Sequence, residues 1–357
     1  MKTPNSDAAN LKALSGLLLA DAPQADVQLL TLTREKFNAM VALANSHHVV
    51  MRSMEAFKQV IAGADDQERQ EWASEAIDRE QARIVRAMSF LAAISPALER
   101  SGCPVVVMKS LDHWPDLGSD LDLYTSADPA HVIRVMTSLH ARMDARSWGD
   151  RLANKWNFIV PGLPELVEIH MGRLGQTGEL DSFARTLPLR ARRVSIGPAT
   201  FPLPSAVDRL MICTLQRMYR HFYIRLCDIV DTVHLLETEE IDYDDLQRSA
   251  RSSGIWEGVA TFLTIVSDYR AGFSGKGIDL PQSVRSAARF GGDQITFAKG
   301  FLRVPILPHS VRLYASEWAN LMLRGQVRST ARLSLLPWLA TAAAVGMKIT
   351  GSDKGIW

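Results

Sequence analysis

Cysteine is scarce in this 357-residue chain: Cys103, Cys213 and Cys227 are far apart and odd in number. No Cys-x-x-Cys spacing occurs, which argues against a zinc site or a disulfide framework and for a reducing, cytoplasmic setting. Charge of one sign is missing too, since forty basic side chains face thirty-nine acidic ones and leave a net +1. Such a balance gives no global drive toward nucleic acid or an anionic membrane, only room for a local basic patch. Long hydrophobic runs are absent as well. Leu11 to Ala22 is interrupted by Lys12 and preceded by Asp7, so it reads as a packed amphipathic helix rather than a signal peptide. Leu333 to Gly346 contains Pro337 and falls short of the roughly 20 residues that span a bilayer. It is expected as a packing helix, with a membrane-surface role as the alternative and no stable membrane insertion. Trp72, Trp114, Trp148, Trp156, Trp256, Trp318, Trp338 and Trp357 are scattered, which argues against a base-stacking platform.

What is present is a hydrophobic fraction of 47%, enough for a substantial core in one large domain or two to three small ones. Residues 1–100 read as helical. Phe37, Met40, Val41 and Ala44, then Val50, Met54, Phe57 and Ile61, carry helical spacing. Asp65-Asp66-Gln67-Glu68 starts a longer helix that Ser101-Gly102 stops near Arg100. Residues 101–203 change to strands and turns. Asp128-Pro129 opens a helix expected over Ala130 to Met143, and Lys155–Val160 with Leu166–Met171 reads as an antiparallel hairpin. Residues 204–357 return to helix, expected near Ala206–Tyr219, Tyr223–Leu236, Tyr243–Ser252, Ile255–Ala271 and Pro281–Ala288. Gly272–Gly277 and Gly291-Gly292 are expected loops. The first lacks the glycine spacing and the Ser/Thr after lysine that a phosphate loop needs.

The organising stretch runs from Val105 to Tyr124. Val105–Met108 is a short β-branched run that predicts a buried strand. In Asp120-Leu121-Asp122-Leu123 a period of two puts both carboxylates on one face and both leucines on the other. Paired carboxylates repel unless a cation sits between them, and oxygen ligands so placed suit Mg²⁺. The bland reading is an exposed strand edge. In Val167-Glu168-Ile169-His170, Glu168 and His170 likewise share one face.

Lys109 after an apolar strand, Gly118-Ser119 followed by Asp-Leu-Asp-Leu, Val167–His170 and the run Met218–Asp228 follow one another in order. In that order they resemble a family of uncharacterised bacterial nucleotidyltransferases of the DNA polymerase β-like superfamily, over roughly residues 35 to 240. The resemblance implies an α+β protein, a small mixed-sheet nucleotidyltransferase core flanked by N- and C-terminal helical segments. It implies a Mg²⁺-dependent transfer of a nucleotidyl group from a nucleoside triphosphate such as ATP to an unidentified acceptor: small molecule, peptide or RNA. Two Mg²⁺ ions, or Mn²⁺ in their place, would be held by Asp120, Asp122 and Glu168.

The same resemblance assigns nucleotide contacts to Lys109, Gly118, Ser119, His170, His221 and Arg225. Each has a structural rival: Lys109 a snorkelling lysine, His170 a hydrogen-bonded structural histidine. His221, Arg225 and Asp228 at i, i+4 and i+7 share one helical face, where Arg225 and Asp228 can also simply pair. Ser110 and Gly118 stand in the neighbourhoods where the family carries glycine and arginine. That departure keeps open an inactive binding or accessory protein with the same fold. A toxin-like enzyme acting on tRNA or protein is a third option, with Arg185, Arg190, Arg192 and Arg193 as its loose basic cluster.

Overall fold

Strand formation follows the β-branched and alternating segments. The computed structural model describes residues 4–22, 27–63 and 66–350. Asp65, expected at a helix start, and Trp357 lie outside the described residues. Five strands form one mixed sheet: β1 (Val105–Val107), β2 (Asp120–Thr125), β3 (Arg142–Met143), β4 (Lys155–Ile159) and β5 (Leu166–Met171), in the order β1-β2-β5-β4-β3. β2 and β5 are parallel and in register, so Asp122 stands opposite Glu168 and Tyr124 opposite His170. β4 returns antiparallel to β5, which is the expected hairpin. The molecule is an α+β protein with helical segments on both sides of the sheet in sequence.

Alternation decides which face is which. Leu121, Leu123, Val167 and Ile169 are fully buried and pack with Ile84, Leu91 and Leu98 of the 34-residue helix Gln67–Arg100, and with Val132 and Met136 of the helix Pro129–Ser138. Burying each such side chain contributes about 1.5–3 kcal/mol, which fixes the register against slippage. The opposite face therefore carries Asp120, Asp122, Glu168 and His170. The long helix starts at the Asp66 cap and ends at Ser101, with Gly102 in the left-handed region as expected.

Several expected boundaries change. The helix after Asp128 stops at Ser138 rather than running to Met143, because His140 takes a left-handed φ of 60° and Arg142-Met143 joins the sheet edge. The expected helix Ala206–Tyr219 is α-helical only to Thr214 and continues as a π-helical segment, Leu215–His221. Phe222 then turns left-handed, with φ 53°, and the next helix begins at Leu226 rather than Tyr223. Tyr223-Ile224 is strand β8, which pairs with β10 (Phe301–Arg303), itself paired to β9 (Thr296–Ala298). The hairpin of β6 (Arg192–Ile196) and β7 (Ala199–Leu203) precedes these. Gly272 lies inside the helix Trp256–Ser274, which Gly275 ends, so the expected loop starts three residues later.

The N-terminal helix Pro4–Leu19 buries Leu11, Leu14, Leu17 and Leu19, as an amphipathic packing helix should. Near the other end Val327–Leu333 and Leu336–Thr350 are separate helices, and the second leaves Trp338 and Ile349 largely exposed. No helix among the described residues is long and apolar enough to cross a membrane.

Candidate active site

The site is built where β1 hands the chain to β2. Met108 N donates to Asp122 O, and Lys109 then takes a left-handed φ of 54°. A non-glycine residue there costs on the order of 1–3 kcal/mol, and such strain persists only where the surroundings hold it. Here Ser110 supplies the hold. Its buried hydroxyl donates to Asp120 O at 3.1 Å and accepts from Asp122 N at 2.7 Å. The serine where the family carries glycine thus clamps the backbone of both aspartates. Ahead of β2, Arg83 of the long helix donates to the carbonyls of Leu117 and Gly118 at 2.8 and 3.1 Å. An arginine from a distant helix therefore braces the Gly118-Ser119 approach.

Lys109, Gly118, Ser119, Asp120, Asp122, Glu168, His221 and Arg225 all line one cleft. Lys109 Nζ lies 2.5 Å from Asp122 and 3.9 Å from Glu168. Glu168 also meets Lys155 Nζ at 3.0 Å and His170 Nε2 at 2.8 Å, and Lys155 continues to Asp150 at 2.9 Å. Ser119 Oγ donates to Asp120 at 3.2 Å. His170 thus orients a carboxylate. Its ring lines the hollow next door rather than the cleft itself, and its Nδ1 is buried without a partner.

Electrostatics distinguish the three acids. Burial pushes Asp122 up to about 7, with Lys109 opposing and Glu168 adding to the rise. Burial and Glu168 also raise Asp120. Burial alone would raise Glu168, but His170, Lys109 and Lys155 together hold it well below the usual range. Burial lowers His170 to about 4, so its ring is neutral at pH 7 and Nε2–H donates to the ionised Glu168.

These residues fit a divalent cation. Single ligand atoms of Asp122, Glu168 and His170 lie within 4.8 Å of one another, and Asp120 shares the cleft. Burial, with Glu168 adding to it, raises both Asp122 and Asp120, and a cation between the acids would relieve both effects. Carboxylate oxygens are the donor set that hard cations prefer. Asp120 stands outside the tightest group, beside it rather than within it.

The facing wall is basic and comes from the π-helical segment and the turn after it: Gln216, Arg217, Arg220, His221, Tyr223 and Arg225. A π-helical turn inside a helix is a frequent mark of a functional site. The expected single helical face is not what joins His221, Arg225 and Asp228. The break at Phe222 separates them, and Arg225 is the N-cap of the helix Leu226–Thr238. Nor do Arg225 and Asp228 pair through their side chains. Asp228 accepts from Arg225 N at 2.6 Å and ion-pairs with the buried Arg217 at 2.6 Å. Arg225 Nε is buried without a partner, and Arg220 makes no ion pair among the described residues. Burial, with Arg220 close by, lowers His221 to about 2, so it is neutral.

Sequence reasoning named the acids but missed their supports. Lys155 follows from β4–β5 register, which sets it opposite His170. Arg217 and Arg220 stood within or beside a run already singled out. His48 and His113, which stack in the cleft, had no sequence signal at all. In the cluster Arg185, Arg190, Arg192 and Arg193, three of the four are ion-paired among the described residues, while Arg192 and Arg193 stay largely exposed. Arg190 pairs with Asp208 and Asp245, Arg192 with Glu239 and Arg193 with Glu99.

Carboxylates from two parallel strands, set against an arginine-rich wall, are what this α+β protein presents at its cleft. The chain belongs to a family of uncharacterised nucleotidyltransferases, whose model matches residues 33–270. No curated protein matches it. The match begins at the helix Arg34–Ser46 and ends inside Trp256–Ser274, so the C-terminal helices lie outside it.

Proposed function

We propose that the protein is a Mg²⁺-dependent nucleotidyltransferase of the DNA polymerase β-like superfamily. It moves a nucleoside monophosphate from a nucleoside triphosphate to an acceptor hydroxyl. The observation that carries this reading is the in-register pairing of Asp122 with Glu168, with Asp120 on the same face, at the floor of a cleft walled by Arg217, Arg220 and Arg225. Residues 101–203 would be the catalytic core and the flanking regions, 1–100 and 204–357, its helical supports.

In the reaction the acceptor oxygen forms a bond to the α-phosphorus. The bond from that phosphorus to the bridging oxygen breaks, and pyrophosphate leaves with the electron pair. Asp120, Asp122 and Glu168 would hold divalent cations, which when bound would supply charge neutralisation at the phosphates. The chain's own residues do the rest. Lys109, Arg220 and Arg225 bring cationic donors to the triphosphate, Arg225 through an Nε that has no other partner. Ser119 and the adjoining turn amides are placed for phosphate oxygens. His170 and Lys155 fix Glu168, and an ionised Asp122 takes the acceptor's proton. Calorimetric titration of ATP with and without Mg²⁺ tests this: metal-dependent binding is expected. Asp120→Asn and Asp122→Asn should each abolish turnover with the fold intact.

One observation favours a second reading, an accessory protein without chemistry. Lys109 already bridges Asp122 and Glu168, the place a cation would take. That reading expects no metal-dependent nucleotide binding.

A further inference from the structure

A second hollow adjoins the catalytic cleft, and Lys109, Gln216 and Arg220 line both spaces. A molecule seated in it therefore borders the carboxylates directly. Its walls are mostly apolar, among them Ile212, Leu215 and Leu336. Into this apolar surface the fold sets polar atoms with nothing to bind. His170 Nδ1, Gln176 Oε1 and Glu317 Oε1 are buried and have no hydrogen-bond partner, and all three residues line the hollow. His170 and Glu317 are 4% and 1% exposed, so solvent does not serve them.

All three atoms are acceptors. Nε2 of His170 carries its proton toward Glu168, which leaves Nδ1 with a lone pair. Gln176 and Glu317 offer carbonyl-type oxygens. A buried acceptor left unmatched costs about 1–3 kcal/mol, so a ligand that brings donors is strongly selected. A second carboxylate, Glu179, also lines the hollow, held by Thr177 N, Thr177 Oγ1 and Gln176 N. Burial first, and then Glu179, raises Glu317 well above its usual range, and a cation beside the two acids would favour its ionised form. Lys109 and Arg220, the cations of the hollow's lining, are the ones it shares with the cleft; the lining it does not share carries the two acids, Glu179 and Glu317. A primary ammonium brings three donors and a charge opposite to both.

Resting on the nucleotidyl-transfer reading, we infer that this hollow is the acceptor pocket, and that the acceptor is a small, largely apolar molecule anchored by a protonated amine. Its hydroxyl then attacks the α-phosphorus as described above. A nucleotide base is the poorer occupant, since it carries no cation for Glu317 and Glu179. Glu317 and Leu336 lie beyond the family match, which ends at residue 270. Other residues of the lining, His170, Gln176 and Glu179 included, lie within the match, so the pocket is built by both parts of the chain.

The test is a titration series with the full chain, both free and saturated with α,β-methylene-ATP and Mg²⁺. The probes are phenylalaninol, 6-aminohexan-1-ol and the amine-free 3-phenylpropan-1-ol. The amino alcohols should bind, and loss of the amine should weaken binding about tenfold or more, the worth of a charged hydrogen bond. Glu317→Gln should weaken the amino alcohols to a similar degree while the α,β-methylene-ATP affinity stays within about twofold. Gln176→Ala, a neutral change on another segment, should act in the same direction and guards against a folding defect in the first variant. Equal binding of the amine-free alcohol, no binding of any amino alcohol, or a Glu317→Gln effect on nucleotide instead of amine would each overturn the inference. Failure of the nucleotide alone to bind would strike the nucleotidyl-transfer reading, while titration into the free protein would still decide the amine pocket.

Discussion

Lys109 Nζ sits 2.5 Å from Asp122 Oδ1, so a residue two positions past β1 sets its charge against the centre of β2. The ammonium reaches Glu168 on β5 as well, at 3.9 Å. Lys109→Met should leave two buried carboxylates facing each other with less compensation. The melting temperature of the metal-free protein should fall, and added Mg²⁺ should recover more of it than in wild type, because a ligand that binds only the folded state adds stability. Differential scanning fluorimetry with a Mg²⁺ series checks this. A variant melting curve indifferent to Mg²⁺ would count against a cation site between these acids.

Asp122→Asn keeps the size of the side chain and removes its charge. Loss of turnover of at least about a hundredfold is expected, as for a single group that stabilises transition-state charge. Circular dichroism should show the fold unchanged. Pyrophosphate release, followed with each nucleoside triphosphate and a cell extract, reads the effect and identifies the acceptor as well.

Ser110 has a structural job that can be separated from chemistry. Ser110→Ala leaves Asp122 N without its buried acceptor and should cost about 1–3 kcal/mol in urea unfolding. Nucleotide affinity should fall too, since both aspartates hang from that clamp. Unchanged stability would show that the hydroxyl is not what fixes the turn.

Arg217 and Asp228 form an ion pair with both residues nearly inaccessible to solvent. Asp228→Asn strands a buried guanidinium and should destabilise by about 3–5 kcal/mol, whereas the double change Arg217→Met with Asp228→Leu should cost much less. Chemical denaturation of the three variants decides it. Equal losses in the single and double variants would refute the pair's coupling.

His47 gives a pH signature away from the carboxylates. Burial lowers it to about 4, with its Nδ1 accepting from Leu226 N and its Nε2 meeting Gly300 O. The unfolded chain takes up a proton near 6.5 and the folded one does not. Stability is therefore full above pH 6.5 and is lost as pH falls toward 4, by about 3 kcal/mol from this group. His47→Gln should be less stable at pH 7.5 yet flatter over that window. Identical slopes in urea midpoints from pH 7.5 to 4.5 would rule out this residue as the source.

The placement of the acids was legible because alternation is local. Asp120, Asp122, Glu168 and His170 each followed from a period of two, and the buried leucines and valines opposite them enforce it. The supports were not legible, because they depend on long-range packing or on the register of paired strands. Arg83 reaches the Gly118 loop from the long helix, and Lys155 reaches Glu168 across a hairpin. The run from Met218 to Asp228 has helical composition throughout, and only a left-handed Phe222 breaks it. Nothing in the pattern marks that residue. The acceptor hollow was equally hidden, since Gln176 and Glu317 are 141 positions apart and neither sits in a motif.

The zero offset between β2 and β5 has a bearing on how such a protein can change. Ser126 to Glu165 makes two helices and the edge strands β3 and β4, and rejoins the sheet beside its starting point. Residues 161–164 at its tip are a turn outside the strands. Lengthening that turn alters the rim of the molecule while the spacing of its acids stays put. Variation can therefore accumulate there with the placement of Asp122 opposite Glu168 untouched.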